Sequence, residues 1–317
     1  MRSGKSFILG LFLKYLFNGG REDWIDLEIK NTFEYSNSDE RVTTGIWIYS
    51  EPIIKKNRKG DDIAIFMMDT QGWHDDKTTK RDNEMIFGLS AFLSAVMIFN
   101  FEKRIGEDDL NYPQNFTNTA QALGEMGDQP FQRLIFLIRD WNSIDQRTGF
   151  PYGYYDTKYP KDYKDFIRHK WDPKGKSDEA QKIREMLSIL YERICAYLMP
   201  DPGRVVRVNE FDSRLMDEEF KMHLISLCSI LFDKSNIELN FHKGKYLRGW
   251  EMFKLIKNKW ADDFKIESTR PISGADDVVP YQMAYETAKD YFDKIMSKMI
   301  NSCNEIKELE GLLIFQE

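Results

Sequence analysis

Gly4-Lys5-Ser6 is the most chemically pointed stretch of the chain. It reads as the second half of a G-x-x-x-x-G-K-[ST] loop. In such a loop backbone N–H groups wrap phosphates, a lysine meets the terminal phosphates and a hydroxyl holds a magnesium ion. Arg2 and Ser3 precede it, and an apolar, helix-compatible run from Phe7 to Phe17 follows. The loop's first glycine and the strand that feeds it would lie before Met1. Phosphoryl transfer also needs a carboxylate on the metal and a nearby positive charge. Ser6 can supply the hydroxyl. Asp69 follows the apolar run Ile63 to Met68 and could hold the metal from a strand end, usually through a water. Thr43, after a polar loop, can close over a γ-phosphate and complete the metal shell. Arg2 could act as an arginine finger in cis. Asp140, after Arg139, could accept from the N1–H and exocyclic amine of guanine, a donor pair that adenine lacks.

Those residues need strands and helices to position them. Ser6 to Phe17 has helical spacing and would point its N-terminus at the phosphates; Gly19-Gly20 ends it. Residues 21–42 read as a polar loop. Ile46 to Tyr49 is extended, and the chain continues through Glu51 to Arg58 to a turn at Lys59-Gly60-Asp61. Ile63 to Met68 is near-continuously apolar, which predicts a single central strand covered on both faces. A charged loop over 74–82 leads to a helix near Asn83 to Leu93 and a strand near Val96 to Phe101. Further helices are predicted over Pro113 to Met126, Asp178 to Arg193, Asp217 to Phe232 and Leu247 to Trp260. Further strands are predicted over Arg133 to Ile138 and Ile194 to Met199, with a surface excursion over 142–176. Alternation of this kind predicts an α/β sheet whose ligands bind beyond the carboxyl ends of the strands. We divide the chain into a domain over 1–268, a linker over 269–276 and a partial helical-bundle segment over 277–317.

Bulk properties narrow the function classes. The chain has 317 residues, 42% hydrophobic and 14% aromatic, enough for one large core. A net charge of -7 and a pI near 5.4 give no electrostatic footprint for nucleic acid. Cys195, Cys228 and Cys303 are odd in number and far apart, which argues for a reducing compartment rather than a disulfide framework. The four histidines are scattered, without zinc spacing. No signal peptide is visible. Phe87 to Phe101, the longest apolar stretch, falls short of the roughly 20 residues of a membrane helix. Asn115-Phe116-Thr117 is read as a chance glycosylation triplet.

The order of the motifs resembles the atlastin family, dynamin-related GTPases of the guanylate-binding-protein superfamily. Arg2-Ser3-Gly4-Lys5-Ser6-Phe7 is similar to the end of that family's G-x-x-R-x-G-K-S-F loop. Arg41-Val42-Thr43-Thr44-Gly45-Ile46 resembles its R-x-T-T-G-I switch I, and Met68-Asp69-Thr70-Gln71-Gly72 its M-D-T-Q-G switch II. Phe136-Leu137-Ile138-Arg139-Asp140-Trp141 is similar to its F-L-x-R-D-W, and Pro202-Gly203 falls at its base-capping turn. The likeness covers roughly residues 1–300. It implies a P-loop GTPase domain, mainly parallel sheet flanked by helices, followed by the start of a helical bundle. It implies GTP as substrate with Mg2+ held by Ser6, Thr43 and Asp69. Phosphate contacts would come from Arg2, Ser3, Gly4, Lys5, Ser6, Phe7, Thr43 and Gly72, and guanine contacts from Arg139 and Asp140. Arg2 and Gln71 would be catalytic, although Gln71 has a second reading as a support for its own loop. The resemblance also implies a homodimer through the GTPase domain and tethering or fusion at the cytoplasmic face of the endoplasmic reticulum. Membrane attachment would use segments absent from this chain. Trp73 and His74 depart from the smaller residues usual after the D-T-Q-G. An alternative reading is a catalytically impaired nucleotide-binding module from a truncated chain.

Overall fold

α1 (Lys5–Asn18) is the centre of the core. Its side chains are apolar on nearly every side, so it cannot be a surface helix. Phe12 and Leu13 are fully buried, and Leu11 almost so. Gly4 precedes the helix at φ 69 and Gly19 ends it at φ 72. The stop is a Schellman arrangement, in which the Gly19 N–H bonds Leu16 O at 3.2 Å and the Gly20 N–H bonds Tyr15 O at 3.0 Å. The computed structural model describes residues 4–21, 24–26, 33, 43, 45–72, 86, 88, 90–91, 93–105, 131–141, 150–156, 178–203, 213–242, 245–249 and 251. Arg2, Ser3, Trp73, His74, the helix expected over 113–126, most of that over 247–260, the 269–276 linker and the 277–317 segment lie outside the described residues.

Two sheet blocks flank α1. In the first, β1 (Ile46–Ile48) and β2 (Ile53–Lys56) run antiparallel to β4 (Met68–Thr70) and β3 (Asp62–Ile65), respectively. The expected single strand over Ile63 to Met68 is therefore divided at Phe66-Met67. Ile48 faces Met68 and Ile53 faces Ile65, so residues 49–52 oppose 66–67 and the ladder bulges there. The Tyr49 N–H still reaches Met67 O at 2.9 Å. Burial of the whole run from Ile63 to Met68 is as expected. At the hairpin tip Asn57 Oδ1 accepts the N–H groups of Lys59 and Asp61 at 2.8 and 2.9 Å, and Gly60 supplies φ 91.

The second block is the predicted parallel sheet. β5 (Val96–Glu102), β6 (Phe131–Arg139) and β8 (Tyr191–Leu198) run parallel, and β7 (Gly153–Asp156) is antiparallel on the edge. β5 to β8 thus lie in the order β5-β6-β8-β7. Ile135, Leu137, Cys195 and Tyr197 join the cluster under α1 and under α3 (Glu218–Phe232). Leu134, Phe136, Ile138 and Leu198 alternate with them and are equally buried, as a sheet covered on both faces requires. α2 (Asp178–Leu190) passes into β8 without a turn, so the strand begins before the expected Ile194. Phe12 meets Phe232 edge to face at 5.6 Å, tying α1 to α3. A short β9–β10 pair (Phe241–His242, Lys245–Tyr246) follows. Near the starts of β6 and β8 a polar network replaces apolar packing. Arg133 donates to Tyr154 at 2.6 Å, and Arg193 pairs with Asp156 and with Glu238.

His223 on α3 stands within hydrogen-bonding distance of the Tyr197 hydroxyl and edge-on to Tyr152. Burial lowers its pKa below the ordinary histidine value, against a smaller opposing pull from Glu219. The folded state therefore takes up a proton at lower pH than the unfolded chain, and stability falls as pH drops below about 6.5. Thermal melts from pH 7.5 to 5.5 are expected to show this loss, and His223→Gln to flatten it. An equal slope in the variant would remove His223 as its source.

Candidate functional site

The site forms where α1, β1, β4 and the carboxyl ends of β5 and β6 meet. Gly4 takes the left-handed conformation that a side chain resists, turning the chain into α1, and the Ile8 N–H closes back on Gly4 O at 3.1 Å. The first turn carries no acidic residue and no side-chain cap bond. Its backbone N–H groups and the positive helix end therefore suit an anion. Phe7 can offer only its backbone here, because its ring is buried in the core.

Two residues far apart in sequence converge on one atom of a third. The Ser6 hydroxyl donates to Asp69 Oδ2 at 2.6 Å across 63 residues, and the Thr43 hydroxyl donates to the same oxygen at 3.0 Å. Asp69 is 2% exposed and sits in β4 opposite Trp47. Two hydroxyls and a carboxylate are hard oxygen donors, which suits a small divalent cation such as Mg2+. Among the described residues there is no cluster of His, Cys, Asp and Glu to favour another metal. Beneath the site, a small cavity is bordered by Lys5, Phe12, Asp69, Ile98 and Asn100.

Gln71 and Gly45 join the segments that follow. The Gln71 N–H donates to Gly45 O at 2.9 Å, and the Gly45 N–H donates to Gln71 Oε1 at 2.8 Å. Gly45 holds φ 69, and Gln71 is only 5% exposed. The side-chain oxygen is thus engaged in a partly buried bond from backbone, which favours the supporting reading of Gln71. Gly72 directly follows and is half-buried.

Arg139 and Asp140 close β6. The Arg139 Nε–H donates to Asn100 Oδ1 at 2.7 Å, and its Nη1 lies 3.9 Å from Asp140 Oδ2. A Cβ on Gly4 would stand 3.6 Å from Arg139 Nη1, so the guanidinium packs over the Gly4 turn. Asp140 holds φ 53, a strained setting for a residue with a side chain. The Trp141 N–H bonds Met199 O and its indole N–H bonds Phe150 O, pinning the turn to β8 and to the start of the next segment. At the turn after β8, the Gly203 N–H bonds Asp201 Oδ1 at 2.7 Å. A side chain at Gly203 would stand 2.8 Å from Asp217 Oδ1. Sequence reasoning missed Asn100. Its only signal in the sequence is one amide inside the apolar run from Phe87 to Phe101.

A glycine–lysine–serine turn into a buried helix, facing an aspartate at a strand end, defines an α/β domain of the P-loop class. The family described as guanylate-binding protein, N-terminal domain, matches residues 1–240. The chain is 35% identical to Atlastin of Drosophila melanogaster over 269 residues, 81% of this chain and 48% of that protein. It is 31% identical to Atlastin-1 of Bos taurus over 309 residues, 94% and 53% respectively. It is 34% identical to Atlastin-2 of Homo sapiens over 243 residues, 74% and 40%. The chain spans about half the length of the curated relatives it matches. It belongs to the guanylate-binding protein N-terminal domain family and is atlastin-like.

Proposed function

We propose that the chain binds GTP and hydrolyses its β–γ phosphoanhydride. The observation that carries this reading is the convergence of Ser6 and Thr43 on one oxygen of Asp69. In this reading the N–H groups at the start of α1 bind the phosphates, with Gly4, Lys5, Ser6, Phe7, Thr43 and Gly72 around them. The Lys5 ammonium meets the terminal phosphates. Mg2+, held by Ser6, Thr43 and Asp69, would supply charge neutralisation on the phosphate oxygens. Asp140 accepts from guanine with Arg139 beside it, and Arg2 stabilises charge on the transferred group. Gln71 acts by holding Gly45, and so Thr43, in place. Water takes the terminal phosphoryl group and GDP leaves. The division at 268 and 276, with a bundle segment over 277–317, belongs to the same reading. So do dimerisation through the nucleotide face and tethering of endoplasmic reticulum membranes.

The test is turnover of GTP and of ATP with magnesium. GTP is expected to be preferred, Lys5→Ala to lose about a hundredfold or more, and Asp140→Ala to lose at least about tenfold of the preference. Wild-type turnover no higher than that of Lys5→Ala would sink hydrolysis. Binding without turnover would leave a nucleotide-dependent interaction module instead. Equal rates on GTP and ATP would remove the guanine assignment.

A further inference from the structure

We propose that Asn100 is a positioning residue for guanine selection, acting through Arg139. The proposal rests on the guanine-nucleotide reading above and extends it to a residue that neither the motifs nor the resemblance assigned.

Asn100 lies near the carboxyl end of β5, one strand over from Arg139, and is 7% exposed. A buried amide in an otherwise apolar strand is costly unless its polar atoms are used. Its Oδ1 accepts the Arg139 Nε–H at 2.7 Å, a bond strengthened by the guanidinium charge. The same strand end holds Arg139 a second time. The Lys103 N–H donates to Arg139 O at 2.7 Å, and Lys103 adopts φ 62 to do so. β5 therefore grips Arg139 by backbone and side chain together.

A hydrogen bond at Nε restrains rotation of the guanidinium. Its terminal nitrogens are left facing the Gly4 turn and Asp140. Asn100 also borders the small cavity that Lys5 and Asp69 border. Without its acceptor, the guanidinium would lose the bond that sets how it stands over the Gly4 turn and 3.9 Å from Asp140 Oδ2, beside the carboxylate that is to receive the guanine N–H groups. Loss of Asn100 should thus weaken discrimination between bases more than it weakens grip on phosphate.

The experiment measures GDP and ADP dissociation constants on the full chain by calorimetry. Asn100→Leu keeps the branched shape and removes the acceptor, and Asn100→Asp keeps an acceptor for Nε. The GDP-over-ADP preference is expected to fall about tenfold in Asn100→Leu and to be retained in Asn100→Asp. In an Arg139→Ala background, adding Asn100→Leu should change the preference by less than about twofold, because both substitutions break the same interaction. A multiplicative effect in that background would mean that Asn100 acts without Arg139, and would overturn the proposal. Full preference in Asn100→Leu would overturn it too, leaving the guanine reading intact. A wild-type chain that binds both nucleotides equally, or neither, would overturn that reading and this proposal with it. If Asn100→Leu does not fold, Asn100→Ser, whose hydroxyl falls short of Arg139, carries the same comparison.

Discussion

Asp69→Asn is expected to lower GTP turnover by roughly a hundredfold or more while leaving the fold intact. The carboxylate gathers the Ser6 and Thr43 hydroxyls on one oxygen. An amide can keep only part of that arrangement, because its oxygen accepts but its nitrogen donates. It also brings no charge to a cation. The expected signature is specific. Phosphate release measured against Mg2+ concentration should need far more metal in the variant, with a lower plateau. Far-UV circular dichroism should not change. A variant with wild-type magnesium dependence would show that Asp69 is a structural acceptor for two hydroxyls and nothing more.

Phe12→Ala should destabilise the domain by about 3–5 kcal/mol, measured by urea unfolding. Phe12 is fully buried, borders the cavity under the site and meets Phe232 edge to face. The loss is a large fraction of the roughly 5–15 kcal/mol that holds a domain together. Because Lys5 and Ser6 stand at the N-terminal end of the same helix, nucleotide affinity should fall along with stability. Phe17→Ala is the control. That ring is 43% exposed and leans on Tyr49, so its loss should cost under about 1 kcal/mol. Equal losses from both would mean that α1 is not anchored through Phe12.

Much of the site was legible because its chemistry sits in short local motifs. Gly4-Lys5-Ser6, Thr43 and Asp69 each stand out by residue type, and the fold brings the Ser6 and Thr43 hydroxyls to the Asp69 carboxylate. The central parallel strands were legible from unbroken apolar runs, since a strand buried on both faces has no polar side to show. What escaped depends on contacts between distant segments. The bulge that divides Ile63 to Met68 arises on the opposite strand, at Tyr49 to Pro52, and nothing within the apolar run announces it. The passage from α2 into β8 at Tyr191 has no glycine or proline to mark it. Asn100 gains its meaning only from a guanidinium 39 residues away. The Arg133–Tyr154–Asp156–Arg193 network likewise depends on three strands, β6, β7 and β8, being brought side by side.

The paired bonds between Gly45 and Gln71 carry one more consequence. Backbone binds backbone in one direction and side chain binds backbone in the other, so the residues cannot slide past each other without losing both. The end of the segment holding Thr43 and the end of the strand holding Asp69 are mechanically one part. A fluorophore on either side would therefore report a single relaxation rather than two. Cutting the Gln71 side chain back to alanine would remove one of the two bonds and leave the backbone bond and the β1–β4 pairing, so the joint would loosen while the two segments still moved together.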